Sequence, residues 1–372
     1  MAAITFFIDI GTLLEARYTG VSNVNHQIAK WFRHNKRNRT QFFHADQIVH
    51  PAIIDELLAR KSGRGLPELF NRGLVSTATL DQALREQSRA ATVGVFSNVK
   101  TIENVFDYET QVIHDLTFLL TPEFHRAENI AHHSLTIESD IRSSDLLICV
   151  SRHTSEDLAL YLQVPRHKMM VAYNGADQAP DMAVMDDVEP FVLVLGTVEP
   201  RKNIGLILRT LKARPDFLDM WRFVFVGVDG WGASFEAMLT EAELEGFDGG
   251  RILRLGYVSD AAKQALLRSA KLLLYPSLYE GFGLPVLEAM QAGCPTIASR
   301  SSSLVEVGGD LVRYVDPYST VDLVSALDEA RAGGAPWMRS SEKLKARAAT
   351  FTWESFCSSI HNRIVADLGE RS

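Results

Sequence analysis

Apolar runs of four to seven residues alternate along the chain with longer stretches in which apolar positions recur every three to four residues. The short runs read as buried strands and the periodic stretches as helices that cover them. In the first half the clearest strands are predicted at residues 4–10, 110–114 and 145–150, with a helix over 22–32. Between 43 and 104 the pattern weakens, leaving helix-like stretches at 52–60 and 79–90 and a loop at 61–65. Residues 179–190 hold two prolines and four acids without a sustained apolar period, which predicts a linker. A cleaner alternation follows, with strands predicted at 191–195, 222–227, 252–255, 272–275 and 296–298. This is the pattern of an α/β protein with two domains, each a parallel sheet covered by helices. In such sheets ligands bind beyond the carboxyl ends of the strands.

Length supports that division, because 372 residues exceed the roughly 150 typical of one domain. The formal net charge of −8 argues against a nucleic-acid-binding protein, which needs a basic surface. No apolar run reaches the roughly 18 to 20 residues of a membrane span. The opening residues carry an early Asp9 and no basic flank, so they are read as a first strand and not as a signal peptide. Cys149, Cys294 and Cys357 have no metal-ligand spacing and suit a reducing compartment. A cytoplasmic protein is expected.

The candidate chemistry is concentrated in two stretches. In the first, a predicted strand ends at Pro276, and the turn Glu280-Gly281-Phe282-Gly283 leads to a helix beginning near Leu284, with Pro285 in its first turn. Free amides at such a start favour an anion or clustered hydroxyls. Glu280 and Glu288 bracket the turn. Taken alone, this is also how an ordinary capped strand-turn-helix reads. In the second, Gly196-Thr197-Val198-Glu199-Pro200-Arg201-Lys202-Asn203 follows the strand at 191–195 and sets two cations at a strand end. Nearer the N-terminus, Ile8-Asp9-Ile10-Gly11 and Tyr18-Thr19-Gly20-Val21 lack the Gly-x-Gly-x-x-Gly dinucleotide fingerprint.

The string from Glu280 to Glu288, followed by Ala292-Gly293-Cys294-Pro295, resembles the signature of retaining glycosyltransferases of the GT-B fold, in the large family four that includes many mannosyltransferases. The Gly196–Asn203 stretch resembles that family's diphosphate-binding turn, and Val112-Ile113-His114-Asp115 its first-domain histidine strand end. Val150-Ser151, Tyr173-Asn174-Gly175 and Gly256-Tyr257-Val258 match further landmarks. Ser302-Ser303-Leu304-Val305-Glu306-Val307 is similar to a Ser-Leu-Pro-Glu-Val stretch in which Val305 replaces proline. Where many relatives place arginine directly after the glycine equivalent to Gly196, this chain has Thr197.

The resemblance implies two Rossmann-like domains facing across a cleft: an acceptor domain over residues 1–183 and a nucleotide-sugar donor domain over 184–350. A last helix over 351–372 is expected to cross back onto the first domain. It implies that Arg201 and Lys202 meet the diphosphate, that Glu288 accepts from the ribose hydroxyls and that Glu280 lies beside the transferred sugar. Gly20, Phe282, Gly283, Leu284 and Tyr257 are implied as further donor-binding residues, and His114 as a group over the donor sugar. No metal or other cofactor is implied, since the two cations take a metal's place. The implied donor is GDP-mannose, with UDP- and dTDP-sugars as alternatives, and the acceptor a glycan or lipid-linked oligosaccharide. An epimerase of the same architecture and a catalytically silent nucleotide-sugar-binding protein are the rivals. Residues 30–39 carry five Lys or Arg and no acid next to Trp31 and Phe32, which alone reads as a solvated helix end; the resemblance implies a basic first-domain surface and with it peripheral contact with an anionic membrane.

Overall fold

The structure, a computed structural model, describes residues 3–15, 18–35, 38–60, 76–87, 90–176, 185, 188–244 and 250–371. The chain forms two compact units. One comprises Met1–Leu116, Glu128–Gly175 and Trp353–Ser372; the other comprises Thr117–Ala127 and Ala176–Thr352. The division falls at Gly175, earlier than the expected 183; that expected boundary and most of the linker at 179–190 lie outside the described residues. Residues 117–127, expected with the first domain, belong to the second unit. There the Trp231 indole donates to the Phe124 carbonyl at 2.5 Å and stacks on His125, and Arg126 donates to the Gly230 carbonyl.

The first unit is built on eight strands: β1 (Ala3–Asp9), β2 (Arg39–His44), β3 (Gln47–Val49), β4 (Ser76–Thr79), β5 (Ala90–Phe96), β6 (Tyr108–Ile113), β7 (Leu146–Cys149) and β8 (Met169–Val171). Their order is β4-β3-β2-β1-β5-β6-β7-β8, parallel except where β3 runs against both neighbours. The helix Gly20–His34 starts at a Thr19–Ser22 capping box and turns Val24, Ile28 and Phe32 inward, with Phe32 against Phe6. The last helix, Trp353–Arg371, buries Phe356, Ile360 and Ile364 on one stripe. Glu354 in its first turn accepts from the Trp31 indole at 2.8 Å.

The second unit contains β9 (Phe191–Leu195), β10 (Arg222–Val226), β11 (Ile252–Gly256), β12 (Leu272–Tyr275), β13 (Thr296–Ser299) and β14 (Arg313–Val315). All are parallel, in the order β11-β10-β9-β12-β13-β14. Strands β9 and β12 are buried on both faces, as a helix-covered sheet requires, so each reads as an unbroken apolar run. Strands β9 and β12 adjoin at the sheet centre, and the two motif stretches leave from their carboxyl ends.

Six strands, β2 to β5, β8 and β14, were not expected. The helix expected at 79–90 is only Leu80–Arg85, and β5 opens at Ala90. The small residues of Ala90-Ala91-Thr92-Val93-Gly94 mute the strand signal for a packing reason. Phe106 lies on Gly94 so closely that a Cβ there would come within 2.4 Å of the ring.

Candidate functional site

Each motif residue in the second unit is placed by a local rule. After β9 the chain makes one 3-10 turn, Pro200–Lys202, then enters the helix Ile204–Ala213 through Asn203 in the left-handed region. Asn203 tolerates that conformation, and its side-chain amide donates to the carbonyls of Pro276 and Pro317 at 3.1 and 2.7 Å. This residue therefore ties the β9 turn to the turns after β12 and β14. The Leu278 amide donates to the Arg201 carbonyl at 2.8 Å and adds a backbone link.

The turn after β12 is held from the next strand. Ser302 accepts from the Glu280 amide and Ser303 donates to the Glu280 carbonyl, both at 2.8 Å. Gly283 caps the helix Leu284–Ala292 with φ of 103°, a conformation only glycine adopts without strain. A Cβ there would also lie 2.5 Å from Leu304. Phe282 is buried with its edge towards Phe351.

These turns bring together four charged side chains and a phenol. Arg201 donates to Glu199 at 2.7 Å and to the Tyr279 carbonyl at 2.8 Å, and pairs with Glu280 at 2.9 Å. Lys202 donates to the other Glu280 oxygen and to the Tyr275 hydroxyl, each at 2.7 Å. The Tyr275 hydroxyl donates to Glu280 at 2.8 Å. Burial alone would raise the Glu280 carboxyl, but the Arg201 and Lys202 cations overcome it and hold the group at about 2. Burial pushes Glu199 up and Lys202 down. The cluster thus fixes two cations beside a helix start whose amides point the same kind of field at an anion.

Glu288, expected to meet ribose hydroxyls, accepts from Lys263 at 2.7 Å. That lysine lies on the helix Asp260–Ser269, and nothing in the sequence motif marked it. Tyr257 stands just beyond β11 and is two-thirds exposed. Glu199, Lys263, Tyr275, Ser302 and Ser303 were all missed as members of the cluster. A lysine in the first turn of a helix and a tyrosine ending an apolar strand have no local signal.

Two expected residues belong to the first unit. Gly20 opens the helix Gly20–His34. His114 follows β6, and its Nε2 lies 2.8 Å from the Ser97 carbonyl. A carbonyl only accepts, so Nε2 carries the proton and Nδ1 is left with a lone pair. Burial lowers the imidazole's proton affinity and favours that neutral form.

In the basic run, Arg33 is paired with Asp55 at 2.9 Å, Phe32 is core, and Trp31 holds the last helix. Lys36 and Arg37 lie outside the described residues. Among the described residues no three His, Cys, Asp or Glu side chains form a metal-holding group, and no helix is long and apolar enough to cross a membrane.

Residues 180–349 match the family model described as glycosyl transferases group 1. The chain is 29% identical over 255 residues to O-antigen chain mannosyltransferase B of Escherichia coli, covering 65% of this chain and 66% of that protein. It is 26% identical over 257 residues to the serotype-specific mannosyltransferase WbdA of the same organism, covering 65% of this chain but 31% of that protein. Among solved structures, Anabaena HepE in complex with UDP-glucose superposes with a TM-score of 0.70 at 16% identity, covering 98% of this chain and 99% of that one. The two mostly parallel sheets, the motif turns at the ends of β9 and β12, and these matches agree: residues 180–349 carry a glycosyl transferases group 1 domain, and the chain has the fold of the GT-B glycosyltransferases.

Proposed function

We propose that this protein transfers mannose from GDP-mannose, with retention of anomeric configuration, to a hydroxyl of a glycan or lipid-linked oligosaccharide in polysaccharide synthesis. The observation that carries the reading is the joining of Arg201 and Lys202 to Glu280 at the carboxyl end of β9, beside the helix start capped by Gly283. The names of the relatives, mannosyltransferases that build O-antigen chains, support the sugar and the product class.

In this reaction the bond from the sugar's anomeric carbon to the diphosphate breaks and leaves both electrons on the phosphate oxygen. Arg201 and Lys202 meet that growing charge, which lowers the barrier because they are fixed before it develops. The acceptor oxygen bonds to the same face of the oxocarbenium-like carbon, and its proton passes to the departing phosphate. Glu280 accepts from sugar hydroxyls, Glu288 from the ribose, and the Nδ1 of neutral His114 from a hydroxyl of the sugar. Phe282, Gly283 and Leu284 offer backbone amides, Gly20 lets the backbone approach the diphosphate, and Tyr257 stands near the nucleotide. No divalent ion is needed, because the two cations supply the positive charge.

The test is transfer of labelled mannose from GDP-mannose to a mannose-ended acceptor, with the product anomer read by NMR and EDTA in a parallel reaction. An α-linked product formed at unchanged rate in EDTA is expected. Transfer from UDP- or dTDP-sugars alone, an inverted product, or loss of turnover in EDTA would each overturn its part of the proposal. A nucleotide at about a hundred times its dissociation constant should stabilise the fold by about 2.7 kcal/mol, which a thermal-shift panel detects. We also propose peripheral contact with anionic membrane through Lys30, Lys36, Arg37 and Arg39, each contributing about 1 kcal/mol near the surface. Co-sedimentation with anionic vesicles that is unchanged by Lys36→Gln, Arg37→Gln and Arg39→Gln would remove it.

A further inference from the structure

Lys202, with 14% of its side-chain surface exposed, is packed among groups from three segments. Arg201 and Glu199 flank it on its own turn, Tyr275 ends β12, and Glu280 follows in the next turn. The Tyr275 hydroxyl is an uncharged side-chain group that touches both members of the Lys202–Glu280 pair. It accepts from the ammonium at 2.7 Å and donates to the carboxylate at 2.8 Å. The ammonium also lies 5.1 Å from the centre of the same ring, within range of a cation–π attraction. Lys202 has three N–H bonds. Tyr275 and Glu280 take two, and among the described residues the third has no protein acceptor.

We propose that Tyr275 is a positioning residue for the donor diphosphate: its hydroxyl and ring hold Lys202 charged and aim the remaining N–H at the phosphate. The inference rests on the reading of Arg201 and Lys202 as the diphosphate site. Three consequences follow from the geometry. The hydroxyl gives the buried ammonium an acceptor that carries no charge, so it adds support without further cancelling the field aimed at the ligand. The O–H bond to Glu280 holds that carboxylate on Lys202, which leaves the pair one joint arrangement. The phenol itself stays protonated, since burial pushes its ionisation well above the ordinary range.

Tyr275→Phe keeps the ring and removes only the hydroxyl. GDP and UDP binding by calorimetry, from pH 6.5 to pH 9.5, reads the effect. At pH 7.5 the better-binding nucleotide should lose about three- to tenfold in affinity. The sign of the pH effect follows from the proton balance at Lys202. Burial already lowers its proton affinity, and loss of an acceptor oxygen lowers it further, so the variant discharges at lower pH than the parent. The ratio of variant to parent Kd should therefore widen as pH rises. A packing defect would weaken binding by the same factor at every pH. A constant ratio, or an affinity equal to the parent's, overturns the proposal.

Should Tyr275→Phe fail to fold, 3-fluorotyrosine at position 275 makes the hydroxyl a poorer acceptor at nearly the same volume. Unchanged nucleotide affinity would then overturn the proposal, and weaker affinity growing with pH would support it. Lys202→Ala is measured alongside. If that variant binds both nucleotides as the parent does, the donor-site reading itself fails. If it binds weakly while Tyr275→Phe matches the parent, the fault lies with the role of Tyr275 alone.

Discussion

Each unit contains a buried lysine–glutamate pair, and the two are built differently. In the first unit Lys100 pairs with Glu109, and both side chains are within 2% of complete burial. Lys100 also donates to Ser143 at 2.8 Å, and the other Glu109 oxygen accepts from the amides of Val105 and Phe106. Asp140 and Gln111 close the surroundings, with the Gln111 amide donating to Asp140 at 2.6 Å. In the second unit the Lys202–Glu280 pair keeps 14% and 9% of its side-chain surface exposed, and Arg201 adds a second cation. The first pair has its polar groups turned on one another. The second keeps an N–H and a rim of exposed surface for something else. Burial of an ion pair therefore says little about function; spare donors beside it say more.

The largest effect should come from breaking the closed pair. Lys100→Ala leaves the Glu109 carboxylate buried without its cation, a change that typically costs about 3 to 5 kcal/mol. Urea unfolding should show that loss, with nucleotide affinity unchanged for the molecules that remain folded. Equal stability would mean that water reaches Glu109 and that the contrast between the pairs is false. Lys202→Ala should do the reverse. Its loss of charge-assisted contacts worth about 1.5 to 3 kcal/mol weakens nucleotide binding at least tenfold. Stability should change less than in Lys100→Ala, because this pair already touches solvent.

Gly283→Ala sharpens the contrast from the backbone side. The added methyl is driven against Leu304 and the residue is held at a φ that alanine avoids. About 1 to 3 kcal/mol of strain is expected, together with weaker nucleotide binding as the helix start moves. A variant that binds and melts like the parent would show that the turn after Glu280 has room to adjust.

The same contrast explains what could be read from the chain before its structure. Strands β9 and β12 were legible because burial on both faces leaves an uninterrupted apolar run, and Arg201, Lys202, Glu280 and Glu288 because their types and spacing form a recognisable string. Strand β5 was obscured by Gly94, whose role is to admit the Phe106 ring. The partners inside the site were hidden for a different reason. Lys263 meets Glu288 only when the helices Asp260–Ser269 and Leu284–Ala292 pack together, and Ser302 meets Glu280 only when β12 and β13 pair; sequence distance carries no trace of that. The closed pair was invisible in the same way: Lys100 and Glu109 are near in sequence, yet nothing in their spacing tells a buried pair from a solvated one.

The smallest predicted effect concerns His114, on the same strand segment as Glu109. Strand β6 carries the sealed carboxylate near its start, and the imidazole follows its end. Burial lowers the proton affinity of His114 in the folded protein, so the unfolded chain binds a proton that the folded one refuses. Stability should therefore fall as pH drops below the unfolded value of about 6.5 and continue to fall until the folded imidazole is itself protonated. His44 is shifted in the same direction by burial and adds to that slope. His114→Gln should make the acid limb of the stability curve shallower while leaving its alkaline side unchanged, and His44→Gln added to it should flatten the limb further. An acid limb that is as steep without His114 would mean that the folded ring takes up a proton as readily as the unfolded chain and is charged along that limb. Its Nδ1 would then be a donor, and the hydrogen bond assigned to it towards a sugar hydroxyl would run the other way.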